Sequence, residues 1–225
     1  WREFDAADRR IRVSGGDDRL VTVRKTVHGP VVEREGVRVG VAWTGLQASR
    51  TSVAVHELDR SDDFDAALEA LRKFDSPTQN AVYADREGNL AYWVTGLIPV
   101  RRTDGEVVRG DRVFDGSARE SEWPGYAPYG TPDYERGWIP FEEKPGVLDA
   151  DYLATANQRV VDDPEHYIAA AYSAPWRARR IYDLLDERAA SDEPFDFEFM
   201  RRVQRDVRDE RAALFAPAVL DARPA

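Results

Sequence analysis

The residues best suited to chemistry stand in one short run, D-Y-L-A-T-A-N-Q-R-V-V at 151–161. Tyr152, Leu153 and Ala154 read as the end of a short buried strand, and Asn157 follows among small residues. An uncharged carboxamide at such a strand end can donate two N–H bonds to a single oxygen. Donors of that kind stabilise the tetrahedral oxyanion of acyl transfer. A structural reading competes, because Asn at a strand end is commonly a turn former, and Asp162-Asp163-Pro164 supplies turn chemistry just beyond. His28 also invites a catalytic reading, as a base. No Ser or Cys stands at a useful spacing from it, however, and its neighbours are β-branched strand residues. Its ring is therefore expected to bond backbone at a strand exit.

The elements that must position these groups follow from periodicity. Ile11-Arg12-Val13 and Leu20 to Val27 alternate about the turn residues Ser14 to Asp18, which predicts a hairpin. Val31-Val32 and Val37 to Trp43 add two strands around Glu35-Gly36. Gln47 to Ser52 reads as a polar loop, with Asp62 or Asp63 capping a helix whose face is Phe64, Ala67, Leu68 and Leu71. Asn80 to Ala84 and Leu90 to Leu97 form a second hairpin about 85–89, with Val82, Ala84, Leu90, Tyr92 and Val94 turned to the core. From Arg101 to Pro132 the chain is a long irregular excursion rich in Gly, Pro, Asp and Tyr. Beyond Pro164 the pattern turns helical, first at Tyr167 to Tyr172, then over Trp176 to Arg188. A second long helix is expected over Phe195 to Phe215, its Arg-rich 201–211 run being a solvated face.

Composition narrows the function classes. The chain has 225 residues, 42% of them hydrophobic, which suits a folded core and not a disordered segment. No apolar run is long enough to span a membrane as a helix. With no Cys, thiolate metal sites, disulfides and a thiol nucleophile are excluded within these residues. A net charge of −10 argues against nucleic acid as a partner. Lys25, Lys73 and Lys144 are the only lysines among 32 basic residues. Dense Asp/Glu with scarce Lys keeps a protein hydrated in high salt, so a halophilic source is expected. A GC-rich genome favouring Arg codons is the alternative.

Several further motifs stand in a recognisable order: T-V-H-G-P-V at 26–31, Q-N-A-V-Y-A-D-R-E-G-N-L-A-Y at 79–92, W-I-P-F at 138–141, and R-A-R-R-I-Y-D-L-L at 177–185. Together with the Asn157 run they resemble the penicillin acylase family of N-terminal-nucleophile hydrolases, over the interior of its β chain. The resemblance implies an α+β fold, part of an αββα sandwich with mainly antiparallel strands and flanking helices. It treats 1–225 as a single fragment: a strand meander with one helix (1–100), an irregular excursion (101–150) and a strand end followed by helices (151–225). Members hydrolyse amides through a Ser at the first residue of the mature β chain, freed by autoproteolysis. Its α-amino group, with a pKa of about 7.7–8.0, is the base.

Carried over residue by residue, Asn157 matches the family's oxyanion Asn. Arg177 matches the Arg that orients both that Asn and the nucleophile region, a role suited to a fixed, always-charged fork. Arg179 is the near alternative, and an Arg paired on the helix surface with Asp183 or Asp186 is the structural one. Gln79 falls where relatives place an apolar wall residue of the acyl pocket, and Val55 or His56 falls near another; a polar Gln79 would disfavour a purely aromatic acyl group. Trp1 cannot be the nucleophile, so the Ser, a backbone oxyanion donor and most of the acyl pocket are expected upstream, and this chain alone should not turn over substrate. No cofactor is implied. The family often holds a structural Ca²⁺, but Glu165-His166 falls at one ligand position, and His suits Ca²⁺ poorly. Asp162, Asp163 or Glu165 would have to substitute.

The implied substrate is a small acyl amide, such as a penicillin side chain or an acyl-homoserine lactone. The implied partners are the remaining acylase segments or α chain, with self-association through an exposed sheet edge. A non-catalytic β-rich module, binding a saccharide or peptide through the aromatics of 101–140, is the reading from another class. That module would leave Asn157 and Arg177 apart on the surface, whereas a hydrolase needs them converging.

Overall fold

The computed structural model describes residues 3–120, 122–162 and 165–222. Blocks of antiparallel strands and blocks of helices follow one another along the chain, which divides into two compact units.

The first unit comprises Trp1–Gln79, Val94–Lys144 and Pro164–Ala170. Its strands β1 (Asp5–Ile11), β2 (Arg19–Thr26), β3 (Gly29–Arg34) and β4 (Val37–Gly40) form the expected meander in sequence order. Glu35 and Gly36 both take positive φ, 53° and 79°, between the paired Arg34 and Val37. That is the primed turn whose twist matches the flanking strands. Gly29 is required for space, since a Cβ there would lie 2.2 Å from the carbonyl oxygen of Val41. The alternation of β2 does not translate into burial: Leu20 is 69% exposed and Val21 41%.

Helix α1 (Thr51–Leu58) occupies what the sequence reads as loop followed by unassigned chain. Its N-cap, Arg50, makes no side-chain capping bond, so no local start signal marks it. Tertiary contacts hold it instead. Thr51 Oγ1 donates to the Ser76 carbonyl and accepts from the Ser76 N–H, at 2.8 and 3.0 Å. Helix α2 (Phe64–Leu71) begins as expected, with Asp63 accepting from the Ala66 N–H at 2.8 Å.

The excursion after residue 100 contains a miniature hairpin, β7 (Arg102–Thr103) with β8 (Glu106–Val107), and one 3₁₀ turn at Gly116–Ala118, among the described residues. Side chains organise the rest. Trp138 donates to the Asp133 carbonyl, Tyr126 donates to the His28 carbonyl, and Trp138, Ile139 and Phe141 are buried.

The second unit comprises Asn80–Trp93, Pro145–Asp163 and Ala171–Ala225. Strands β5 (Asn80–Ala84) and β6 (Leu90–Val94, its last residue counted with the first unit) pair as predicted, and β9 (Gly146–Leu148) adds to β6. Tyr92 and Val94 are buried, but Val82 is 47% exposed, contrary to its expected core position. The strand expected at Tyr152 to Ala154 is absent; those residues are irregular, and the strand lies earlier, at β9.

Helix α3 (Trp176–Ala189) matches its periodicity. Leu184 and Leu185 pack with Phe199 of α4 (Phe197–Arg205), flanked by Tyr152, Ala154, Ile181, Tyr182 and Val203. The long helix expected over 195–215 is two helices, α4 and α5 (Glu210–Asp221). Two aspartates make the break. Asp206 is extended and binds Arg180 through both oxygens, at 3.1 and 2.6 Å, while Asp209 caps α5 by accepting from the Ala212 N–H. Side-chain capping outcompetes helix continuation there. The helix expected over Tyr167 to Tyr172 is likewise absent. The boundary between units falls inside that stretch. Tyr167 faces Arg101 within the first unit and Tyr172 faces Arg159 within the second.

Candidate functional site

Asn157 lies on the irregular segment before α3, with φ of 62°. Asn is among the few residues that adopt this left-handed conformation readily. Neighbouring bonds hold the turn. The Ser173 N–H donates to the Asn157 carbonyl at 2.8 Å. Gln158 folds back, its Oε1 accepting from the Ala156 N–H at 2.6 Å and its Nε2 donating to the Ala154 carbonyl at 3.3 Å. From α3, the Tyr182 hydroxyl donates to that same carbonyl at 3.0 Å and accepts from the Ala154 N–H. The apolar side of α3 is thereby fixed to the segment that carries Asn157, with Tyr152 and Ala154 packed against the helix core.

Arg177 stands on the first turn of α3, after the N-cap Pro175. Its Nη2 donates to the Ala156 carbonyl at 2.8 Å and to Asn157 Oδ1 at 2.9 Å, with Ser173 Oγ at 3.5 Å. A guanidinium has donors only, so the atom it meets must be the amide oxygen. The flip of the Asn157 side chain is thus settled by chemistry, and the Nδ2 amine is turned to the other side. Among the described residues nothing accepts from that amine, and Asn157 is exposed. Two N–H donors are held in a known orientation, open to an incoming oxygen.

The alternatives for this helix can be compared directly. Arg179 makes no side-chain hydrogen bond or ion pair among the described residues. Asp186 is engaged by the Tyr152 hydroxyl and not by Arg177. Ser173, Gln158 and Tyr182 are residues of the site that sequence reasoning misses. Only the four-residue spacing of Ser173 and Arg177 hints at one of them. Close by, Tyr92 donates to Asn80 Oδ1 at 2.6 Å, and burial, reinforced by Tyr172 and Tyr182, pushes its phenol well above the ordinary range.

Gln79 and His56 belong to the first unit. Both are exposed; Gln79 accepts from the Thr95 N–H through its backbone carbonyl at 2.8 Å, and His56 lies in the last turn of α1. They share no hydrogen bond with each other. His28 departs from its expected backbone contact: its Nε2 meets Glu122 at 3.0 Å, and it is the peptide carbonyl of His28 that Tyr126 binds. His166 is paired with Glu143 at 2.6 Å, and no group of three or more His, Cys, Asp or Glu among the described residues could hold a metal. Asp163, one of the substitute ligands, lies outside the described residues. No helix among them is long and apolar enough to cross a membrane.

Comparison with known proteins adds a family. The family model described as Penicillin amidase matches residues 1–225. The penicillin acylase 2 proenzyme of Pseudomonas sp. (strain SE83) is 31% identical over 184 residues, covering 78% of this chain and 22% of that protein. The acyl-homoserine lactone acylase QuiP of Pseudomonas fluorescens is 28% identical over 197 residues, covering 82% and 22%. Among solved structures, the thermostable penicillin G acylase from Alcaligenes faecalis superposes with a TM-score of 0.65 at 20% identity. That match covers 100% of this chain and 39% of the other. The chain therefore spans well under half the length of these relatives.

Proposed function

Because the chain belongs to the penicillin amidase family, we propose that it supplies the oxyanion-stabilising part of an N-acyl amide hydrolase. The nucleophile is then a Ser, with its own α-amine as base, contributed by residues beyond these 225. The Ser oxygen attacks the amide carbonyl carbon while its proton passes to the α-amine. The carbonyl oxygen takes up the negative charge and accepts an N–H bond from Asn157 Nδ2, alongside a backbone donor from the same outside residues. Collapse expels the amine, which takes the proton, and leaves an acyl ester. Water, deprotonated by the same α-amine, then attacks the ester carbon; the bond to the Ser oxygen breaks, that oxygen takes the proton back from the α-ammonium, and the carboxylic acid is released. Arg177 is a positioning residue, since it touches the amide and not the reacting atoms.

The observation that carries this reading is the 2.9 Å bond from Arg177 to Asn157 Oδ1, which leaves both amine hydrogens to the substrate. The full-length protein tests it. Hydrolysis of penicillin G and of an N-acyl-homoserine lactone should both be assayed against Asn157→Ala. A loss of kcat with both substrates is the expected result; full activity in the variant overturns the assignment. Which amide is preferred is the second question, because one relative is named for each class.

A further inference from the structure

Within the first unit a cavity of about 230 Å³ is lined by Trp43, Pro77, Leu97, Ile98, Trp123 and Ile168, with Arg101 as its only charged member. Among the described residues the Arg101 guanidinium has no carboxylate partner. Its Nη1 is sealed from solvent without an acceptor, and no other nitrogen of the fork hydrogen-bonds to a described residue. The rings of Trp123 and Tyr167 each lie 5.2 Å from its Cζ, which supports the charge but accepts no hydrogen bond. Burial pulls its pKa below the ordinary value, with only the Tyr167 phenol opposing.

A half-buried cation whose fork meets no acceptor among the described residues is costly, since charges withdrawn from water are normally paired. Elsewhere in the same unit that rule holds. The buried Asp75 is met there by Arg50. A Cβ at Gly110 would lie 2.7 Å from Arg101 Nε and 2.9 Å from Cζ, so glycine there lets the backbone pack closely on the guanidinium. The remaining walls are mostly apolar and aromatic, with Thr44 and Thr78 as the uncharged polar members, a surface that admits a flat hydrocarbon body.

We propose that this cavity binds a small organic carboxylate, its acid group on Nε and Nη2 of Arg101, the two nitrogens not sealed from solvent, and its apolar body between Trp43 and Trp123. The site is independent of the amide-hydrolysis reading, and its test measures no turnover.

The test is titration of the full-length protein with benzoate, benzamide, acetate and chloride, following tryptophan fluorescence and calorimetric heat. Benzoate should saturate one site and bind at least tenfold more tightly than the other three. Arg101→Gln should weaken benzoate at least tenfold, and Arg101→Lys, which keeps charge but loses the fork, by an intermediate factor. Gly110→Ala keeps every charge and should also weaken benzoate by crowding Nε. Absence of benzoate binding to the wild-type chain overturns the proposal. So does benzamide or chloride binding as tightly as benzoate, a comparison that needs no variant to fold. Unchanged benzoate affinity in folded Arg101→Gln overturns it as well.

Discussion

Oδ1 of Asn157 accepts a hydrogen bond from Nη2 of Arg177 at 2.9 Å, across twenty residues of chain. That same nitrogen holds the Ala156 carbonyl, so one guanidinium fixes both the backbone and the side chain of the turn. Replacing it by Gln leaves the amide free to rotate. In the full-length protein, Arg177→Gln should lower kcat by roughly 10- to 100-fold, the loss expected for a charge-assisted bond worth about 1.5–3 kcal/mol. KM should change little, and Arg177→Lys should restore only part of kcat. Steady-state kinetics on one amide substrate separates these outcomes, and a pure KM effect would place Arg177 in substrate binding instead.

Asn157 carries two properties, an amide and a left-handed backbone with φ of 62°. Glycine keeps the second without the first, whereas alanine loses both at a conformational cost of about 1–2 kcal/mol. Asn157→Gly should therefore preserve thermal stability better than Asn157→Ala, while both lose about 10²–10³ in kcat, the usual effect of removing an oxyanion donor. Melting curves and initial rates on the two variants check the separation.

Asp75 is 2% exposed and accepts from the Arg50 N–H at 2.7 Å, from Arg50 Nη2 at 2.9 Å and from the Tyr134 hydroxyl at 3.3 Å. It ties the start of α1 to the chain beyond α2. Removing one charge of a fully buried pair costs about 3–5 kcal/mol because the other is left uncompensated. The Arg50 side chain is partly exposed, so water recovers some of that loss. Asp75→Asn should therefore lower the unfolding free energy in urea by about 3 kcal/mol, the bottom of that range. Tyr134→Phe should lower it by only about 1 kcal/mol.

Lys144 gives the stability a distinctive pH dependence. Its Nζ donates to the Gly96 carbonyl at 2.7 Å, and burial pulls its pKa down to about 8. The unfolded value is about 10.4, so between about pH 8 and pH 10 the unfolded chain binds more protons than the folded one. Stability from this group therefore rises with pH across that window, by about 2 kcal/mol between pH 7.5 and 9.5. Above about pH 10 the tyrosines whose phenols burial holds up, Tyr92 first and then Tyr126 and Tyr134, act in the opposite direction. Urea unfolding at pH 7.5 and 9.5, the ends of roughly that rising window, should show the rise in wild type and a flat response in Lys144→Met.

The net charge of −10 predicts a response to salt. Self-repulsion is screened by added KCl, while the exposed ion pairs it also weakens are worth only about 0–1 kcal/mol each. The unfolding midpoint should climb from low to molar KCl. A midpoint that does not move removes the halophilic reading.

Much of the fold is legible from local pattern. The meander, the second hairpin, the Asp63 cap and the apolar face of α3 each arise from interactions within a few residues, and their spacing records them. Where expectation and structure part, long-range contacts decide. Helix α1 has no cap of its own and is held by Ser76, and the break between α4 and α5 depends on Asp206 meeting Arg180, 26 residues away. Alternation in β2 could not reveal that Leu20 stays exposed, since periodicity marks which residues share a face and not what covers it.

The site divides along the same line. By itself the sequence determined that a carboxamide among small residues and an arginine heading a helix were present, because residue types and their order are written there. Only the tertiary structure decided which way the amide points, since that depends on a guanidinium brought to it by the packing of α3. It alone also left the Arg101 fork without an acceptor among the described residues, because a partner's absence depends on every neighbour in space and on none in sequence.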